Sequence, residues 1–114
     1  MLVYALISFA VAAVGGLVLA SRVLRGRLAP WSLSLLHAAL GALGLVLLAL
    51  GVMQGAADPA PIALGVLVIA ALGGFYLASV HLRGRPGPKA VVVIHALAAV
   101  TGVLLLAGAA FSLV

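Results

Sequence analysis

The sequence predicts an all-α fold: an integral membrane four-helix bundle made of two tandem two-helix hairpin repeats, with residues 1–114 forming a single transmembrane domain. Three observations lead to this prediction. Hydrophobic residues make up 68% of the chain and charged residues 6%, a composition that water-soluble domains do not have. The apolar residues form four continuous runs, each close to the ~20 residues that cross a hydrocarbon layer. The second half of the chain repeats the first.

The four predicted spans are residues 2–24, 31–53, 61–82 and 90–113. They are continuous apolar runs rather than the ~10 alternating residues of a barrel strand, so helices are expected. The breaks at residues 25–30 and 83–88 each supply glycine to end one helix and proline to begin the next, which predicts two tight antiparallel hairpins. The central connection contains Asp58, the chain's only acidic residue, next to Pro59.

Residues 15–51 recur as residues 73–109 at a constant offset of 58, with 16 identities in 37 positions. We therefore divide the chain into a first hairpin repeat, residues 1–56, and a second, residues 59–114. Each repeat crosses the membrane twice, so the two copies have the same orientation and a pseudo-twofold axis along the membrane normal. In simple up-down order, the second and fourth helices occupy diagonal corners.

Charge predicts the orientation. Every Lys and Arg lies in or beside a hairpin turn: Arg22, Arg25, Arg27, Arg83, Arg85 and Lys89. The positive-inside tendency then predicts cytoplasmic turns and periplasmic termini. The bias towards Ala, Gly, Leu, Val and Arg suggests a bacterial source, and we expect the inner membrane as the location. Because the spans are apolar, the expected partner is the lipid bilayer and not nucleic acid. The absence of cysteine excludes disulfides and thiolate ligands.

Two histidines are the residues capable of chemistry. His37 lies seven residues after Pro30, and His95 seven after Pro88, which predicts equal depths about 10 Å inside the turn end of their helices. Two imidazoles would then face each other across the axis. Small residues share their faces and the matching depth on the other helices: Gly41, Gly44, Ala99, Gly102, Gly15, Gly16, Gly73 and Gly74.

Such space between two imidazoles predicts one b-type haem with His37 and His95 as its metal ligands. No Cys-x-x-Cys-His motif is present, so the haem would be non-covalent. Arg25 and Arg83 are expected to pair with the haem propionates, because guanidinium binds carboxylate in a planar, bidentate way. Ser21 and Ser79 are expected to donate further hydrogen bonds.

The stretch from Leu36 to Leu45 resembles the histidine helices of four-helix membrane b-type cytochromes, such as the cytochrome b561 group. The likeness covers the two histidine-bearing helices. It implies electron transfer with a quinone or another redox protein. Those cytochromes commonly carry four ligand histidines for two haems, whereas only His37 and His95 have suitable positions in this chain.

Two other function classes compete with an electron carrier. A non-catalytic accessory subunit or homo-oligomeric scaffold would use its small-residue faces, such as Gly16 to Ala20, to dock helices, and its histidines as interhelical hydrogen-bond donors. A small-molecule transporter is disfavoured because no carboxylate lies within a span. His81 falls at the basic surface, which predicts an interfacial role rather than ligation.

Overall fold

The computed structural model describes residues 1–112 and contains four α-helices. They are α1 (Leu2–Leu24), α2 (Trp31–Met53), α3 (Ala60–Leu82) and α4 (Lys89–Ala110). The first two match the predicted spans at both ends. Helices α3 and α4 each begin one residue earlier than predicted, and α4 ends at Ala110. The predicted end of the fourth span, residue 113, lies outside the described residues.

The two hairpin turns are built alike. Gly26 and Gly84 adopt φ values of +74° and +72°, which L side chains disfavour and glycine accepts freely. In each turn the N–H after the glycine donates to the carbonyl five residues earlier, the bond that closes many helix C-termini. Pro30 and Pro88 then occupy the N-cap positions of α2 and α4. Glycine and proline therefore end and begin the helices as the sequence predicts.

The helices form an up-down four-helix bundle measuring 42 × 23 × 19 Å. Helix α1 packs mainly against α2, and α3 mainly against α4; smaller contacts of α1 with α4 and of α2 with α3 close the ring. Helices α2 and α4 consequently lie on one diagonal, and α1 and α3 on the other. This is the predicted arrangement.

The buried core lies mostly in the half of the bundle away from the hairpin turns. Its members are Ala5, Phe9, Leu48, Ala60, Ala63, Leu67 and Leu106. Two helical glycines admit large neighbours here: a Cβ on Gly44 would lie 2.8 Å from the Phe9 ring, and one on Gly102 would lie 2.5 Å from Leu67 Cγ. The two contacts are related by the offset of 58.

Large apolar side chains cover the outer surface of all four helices. Leu17 on α1, Leu72 on α3 and Leu104 on α4 each expose more than 60% of their surface. Each helix is long and apolar enough to cross a membrane. The protein is therefore an integral membrane protein whose outward faces contact lipid.

Candidate functional site: the paired histidines

His37 and His95 meet inside the bundle. Their ring centroids are 6.3 Å apart and the ring planes are inclined at 82°. Each histidine comes from one of the diagonal helices, α2 or α4, and lies seven residues after the proline that precedes its helix. Equal depth in the two repeats thus brings together the two imidazoles that the sequence analysis expected to face each other.

One nitrogen of each imidazole is held by a backbone carbonyl of the partner helix in the same hairpin. His37 Nδ1 lies 2.7 Å from the oxygen of Ala12, and His95 Nδ1 lies 2.6 Å from that of Ala70. A carbonyl oxygen only accepts, so Nδ1 carries the hydrogen and donates in both bonds. In the neutral imidazole, Nε2 then keeps a free lone pair.

The Nε2 atoms remain accessible. Among the residues that the structure describes, none of the hydrogen bonds reaches either Nε2, and no fully buried side-chain nitrogen or oxygen lacks a partner. Neither Nε2 atom is therefore fully buried. An apolar groove of about 350 Å³ between α1 and α2 also reaches His37; it is lined by Val11, Val14, Gly15, Val18, Leu33, Leu36, His37 and Leu40.

The paired glycines of α1 and α3 make room for the imidazoles themselves. A Cβ on Gly16 would lie 2.9 Å from His37 Cε1, and one on Gly74 would lie 3.1 Å from His95 Cε1. Gly15 and Gly73 face the Cβ atoms of the same histidines. These glycines lie at the predicted depth, and the histidine side chains occupy the space that they leave.

The other predicted small residues separate into two groups. No side chain or neighbouring helix lies within 4 Å of a Cβ built on Gly41, and Ala99 is half-buried. Gly44 and Gly102, by contrast, are filled by Phe9 and Leu67, as described above. The expectation that all four positions leave open space differs from the structure because these two bulky side chains of α1 and α3 occupy the notches.

The polar side chains near the turns bond mainly to their own helices. Ser21 Oγ donates to the carbonyl of Val18 over 2.7 Å, and Ser79 Oγ donates to that of Tyr76 over 2.6 Å. Both hydroxyls thus donate within their own helices in this structure. Arg25 and Arg83 are exposed at the turns.

His81 belongs to a separate cluster between α2 and α3. Its ring stacks on Trp31 with centroids 4.0 Å apart and an interplanar angle of 7°, and its Nδ1 lies 3.4 Å from Ser34 Oγ. Sequence reasoning placed His81 at the interface but missed these partners. The offset of 58 pairs His81 with Val23 and Trp31 with Lys89, so this cluster has no equivalent in the other half.

A metal at the paired histidines would have only two protein ligands. Within residues 1–112, no group of three or more His, Cys, Asp or Glu side chains is placed to hold a metal ion. The arrangement offers two imidazoles with one unbonded Nε2 each, a donor set that suits a metal whose other ligands come from a cofactor. Comparisons with protein-family models, with curated proteins and with solved structures give no match.

Proposed function

We propose that the protein binds one b-type haem non-covalently between His37 and His95 and carries electrons in the membrane. The observation that carries the proposal is the pairing itself: two imidazoles 6.3 Å apart, each with Nδ1 bonded to a carbonyl and Nε2 left to ligate. Imidazole is a common axial ligand of haem iron.

The separation fits two imidazoles that share one metal. A metal–nitrogen distance of about 2 Å puts the centroids of two such rings about 6 Å apart. The Nδ1 bonds fit as well, because metal-bound histidines generally donate their other N–H to a carbonyl or carboxylate, which fixes the tautomer and the ring orientation. Ala12 and Ala70 supply those carbonyls.

The surroundings restrict where a macrocycle can lie. Phe9 and Leu67 fill the notches at Gly44 and Gly102, so we assign those two glycines to helix packing. We assign the edge of the macrocycle to the side of Gly41, where a Cβ would meet no neighbouring atom within 4 Å. Propionates would extend towards the hairpin turns, where Arg25 and Arg83 are exposed and would pair with them.

Bound haem supplies one-electron oxidation and reduction of its iron. His37 and His95 would hold the haem iron, and the apolar helices would keep the site out of bulk water. A single histidine pair near one end of the bundle suits transfer within one leaflet, to or from a quinone or a redox protein. The basic turns favour a cytoplasmic location for that end, in a bacterial inner membrane.

An absorption spectrum tests the proposal. Protein purified in detergent from haem-replete cells should show a Soret band, with sharp α and β bands on reduction. His37→Ala and His95→Ala should each abolish or strongly reduce the bands. His81→Ala is the matched control, because it removes a histidine outside the pair and should leave the spectrum unchanged.

A specific observation also favours a second candidate, a non-catalytic accessory subunit or homo-oligomeric scaffold. The Nδ1 bonds join α2 to α1 and α4 to α3, which is a structural role in itself. Interhelical hydrogen bonds in membranes contribute about 0.6 kcal/mol on average. A colourless protein whose His37→Ala variant loses only stability would support this candidate and contradict the haem proposal.

A further inference from the structure

We infer that the second hairpin turn binds the phosphate group of an anionic phospholipid. A cavity of about 250 Å³ lies beside this turn, lined by Tyr76, Val80, Arg83, Arg85, Pro86 and Pro88. Neither histidine of the pair lines it, and the site shares only Arg83 with the residues proposed for haem; the experiment below separates these two uses of Arg83.

The cavity is positively charged and has no internal counter-charge. Arg83 and Arg85 both line it, while the only acidic side chain of the sequence, Asp58, lies in the connection at the opposite end of the bundle. Helix α4 begins beside the cavity with no side-chain cap and no acidic residue in its first turn. Its first N–H groups therefore add hydrogen-bond donors for an anion, while the dipoles of α3 and α4 oppose each other at this turn.

The Arg83 guanidinium lies against the last turn of its own helix, with two long contacts to Ser79. Its Nε lies 3.4 Å from the carbonyl oxygen of Ser79, and its Nη2 lies 3.5 Å from Ser79 Oγ. Ser79 Oγ is itself fixed by donating to the carbonyl of Tyr76. A guanidinium has five N–H donors in a fixed plane, so donors remain for a phosphate, which Arg binds in a bidentate way.

The position of the cavity favours a lipid phosphate. The turn joins two membrane-spanning helices, so it lies at the depth of the lipid headgroups. Val80 and the two prolines give the cavity an apolar wall beside the arginines, which suits a phosphate that is attached to glycerol and acyl chains. Tyr76 adds a hydroxyl donor and an aromatic ring of the kind enriched at membrane interfaces.

The first hairpin turn is a natural control. The offset of 58 places Val18, Arg22, Arg25, Arg27, Leu28 and Pro30 at the six corresponding positions. The first turn thus has one more arginine but no counterpart of Tyr76 or Pro86. Surface charge alone predicts lipid binding at both turns, whereas a shaped site predicts binding at the second.

Native mass spectrometry of the detergent-purified full chain, titrated with phosphatidylglycerol or phosphatidylcholine, tests this inference. The wild type should retain one phosphatidylglycerol in preference to phosphatidylcholine. The double variant Arg83→Gln with Arg85→Gln should weaken that binding about tenfold or more, because hydrogen bonds from a charged donor to phosphate are the strong ones. Tyr76→Phe removes a neutral donor and should weaken binding only about threefold. Arg25→Gln with Arg27→Gln should weaken it less than about threefold.

Equal losses in the two double variants, or equal retention of both lipids, would overturn the inference. Competition with inorganic phosphate identifies the source of the bound phosphate. Retention of phosphatidylglycerol at millimolar phosphate would support a lipid headgroup as the ligand. Displacement of the lipid at that concentration would overturn the assignment to lipid and indicate free phosphate. Lipid binding should survive in His37→Ala, which separates this site from the haem proposal. A loss of Soret absorbance in the Arg83 and Arg85 variant, with unchanged lipid binding, would assign these arginines to propionates instead.

Discussion

The two hairpins are alike around the paired histidines and differ at the bundle surface and at one buried serine. In each, a histidine donates to an alanine carbonyl of the neighbouring helix, a glycine faces that imidazole, and a second glycine admits a large side chain. The stacked pair of Trp31 and His81 and the cavity at Tyr76, by contrast, involve residues whose counterparts differ in type. The shared contacts lie around the pseudo-twofold axis between the two repeats. A site on that axis needs one histidine, held in the same way, from each repeat.

The largest expected effect comes from filling the space beside one imidazole. Gly16→Leu and Gly74→Leu should each lower the free energy of unfolding by about 2–3 kcal/mol, because a side chain there overlaps the histidine ring. Unfolding in detergent, followed by circular dichroism, measures the change. Equal losses in the free energy of unfolding would show that the two imidazole contacts contribute equally to stability. A large difference between the losses would show that the two hairpins are not equivalent at the histidines.

Gly41→Leu is the matched control for this pair. Gly41 is also a glycine within a helix, yet no side chain or neighbouring helix lies within 4 Å of a Cβ built on it. In the haem-free protein, the substitution should therefore leave the free energy of unfolding nearly unchanged or raise it slightly, since leucine favours helix more than glycine does. A loss as large as that of Gly16→Leu would contradict the role assigned to the imidazole contact.

A smaller effect is expected in the far half of the bundle. Gly44→Ala and Gly102→Ala should each lower the free energy of unfolding by about 1–2 kcal/mol, because the new methyl group meets Phe9 or Leu67. The loss should shrink when Gly44→Ala is made in a Phe9→Ala background, which removes the ring. A double-mutant cycle measures this coupling, and strictly additive changes would exclude the contact as its cause.

Much of this architecture could be predicted from the sequence. Hydropathy located the four helices, glycine and proline located the turns, and the offset of 58 placed His37 level with His95. The contacts of Phe9 and Leu67 could not be predicted, because the helices are apolar on all sides and no polar stripe indicates which face points inwards. The acceptors at Ala12 and Ala70 were also missed, since every residue carries a carbonyl and the sequence does not mark which one meets a histidine.

The smallest effect concerns a bond that only one hairpin can make. Ser8 is buried and its Oγ donates to the carbonyl of Leu40 over 2.7 Å, joining α1 to α2. Its counterpart in the second hairpin is Val66, which has no donor. Ser8→Ala should therefore lower the free energy of unfolding by about 0.6 kcal/mol, the average for such bonds in membranes.

Ser32→Ala serves as the control for Ser8→Ala, because Ser32 is exposed near the start of α2 and should tolerate the loss of its hydroxyl. The same measurement in detergent distinguishes the two variants. A loss confined to Ser8→Ala would mean that the first hairpin is stabilised by a bond the second lacks, while the histidine contacts of the two remain alike. No difference between the variants would mean that the buried Ser8 bond, although present in one hairpin alone, does not make that hairpin more stable.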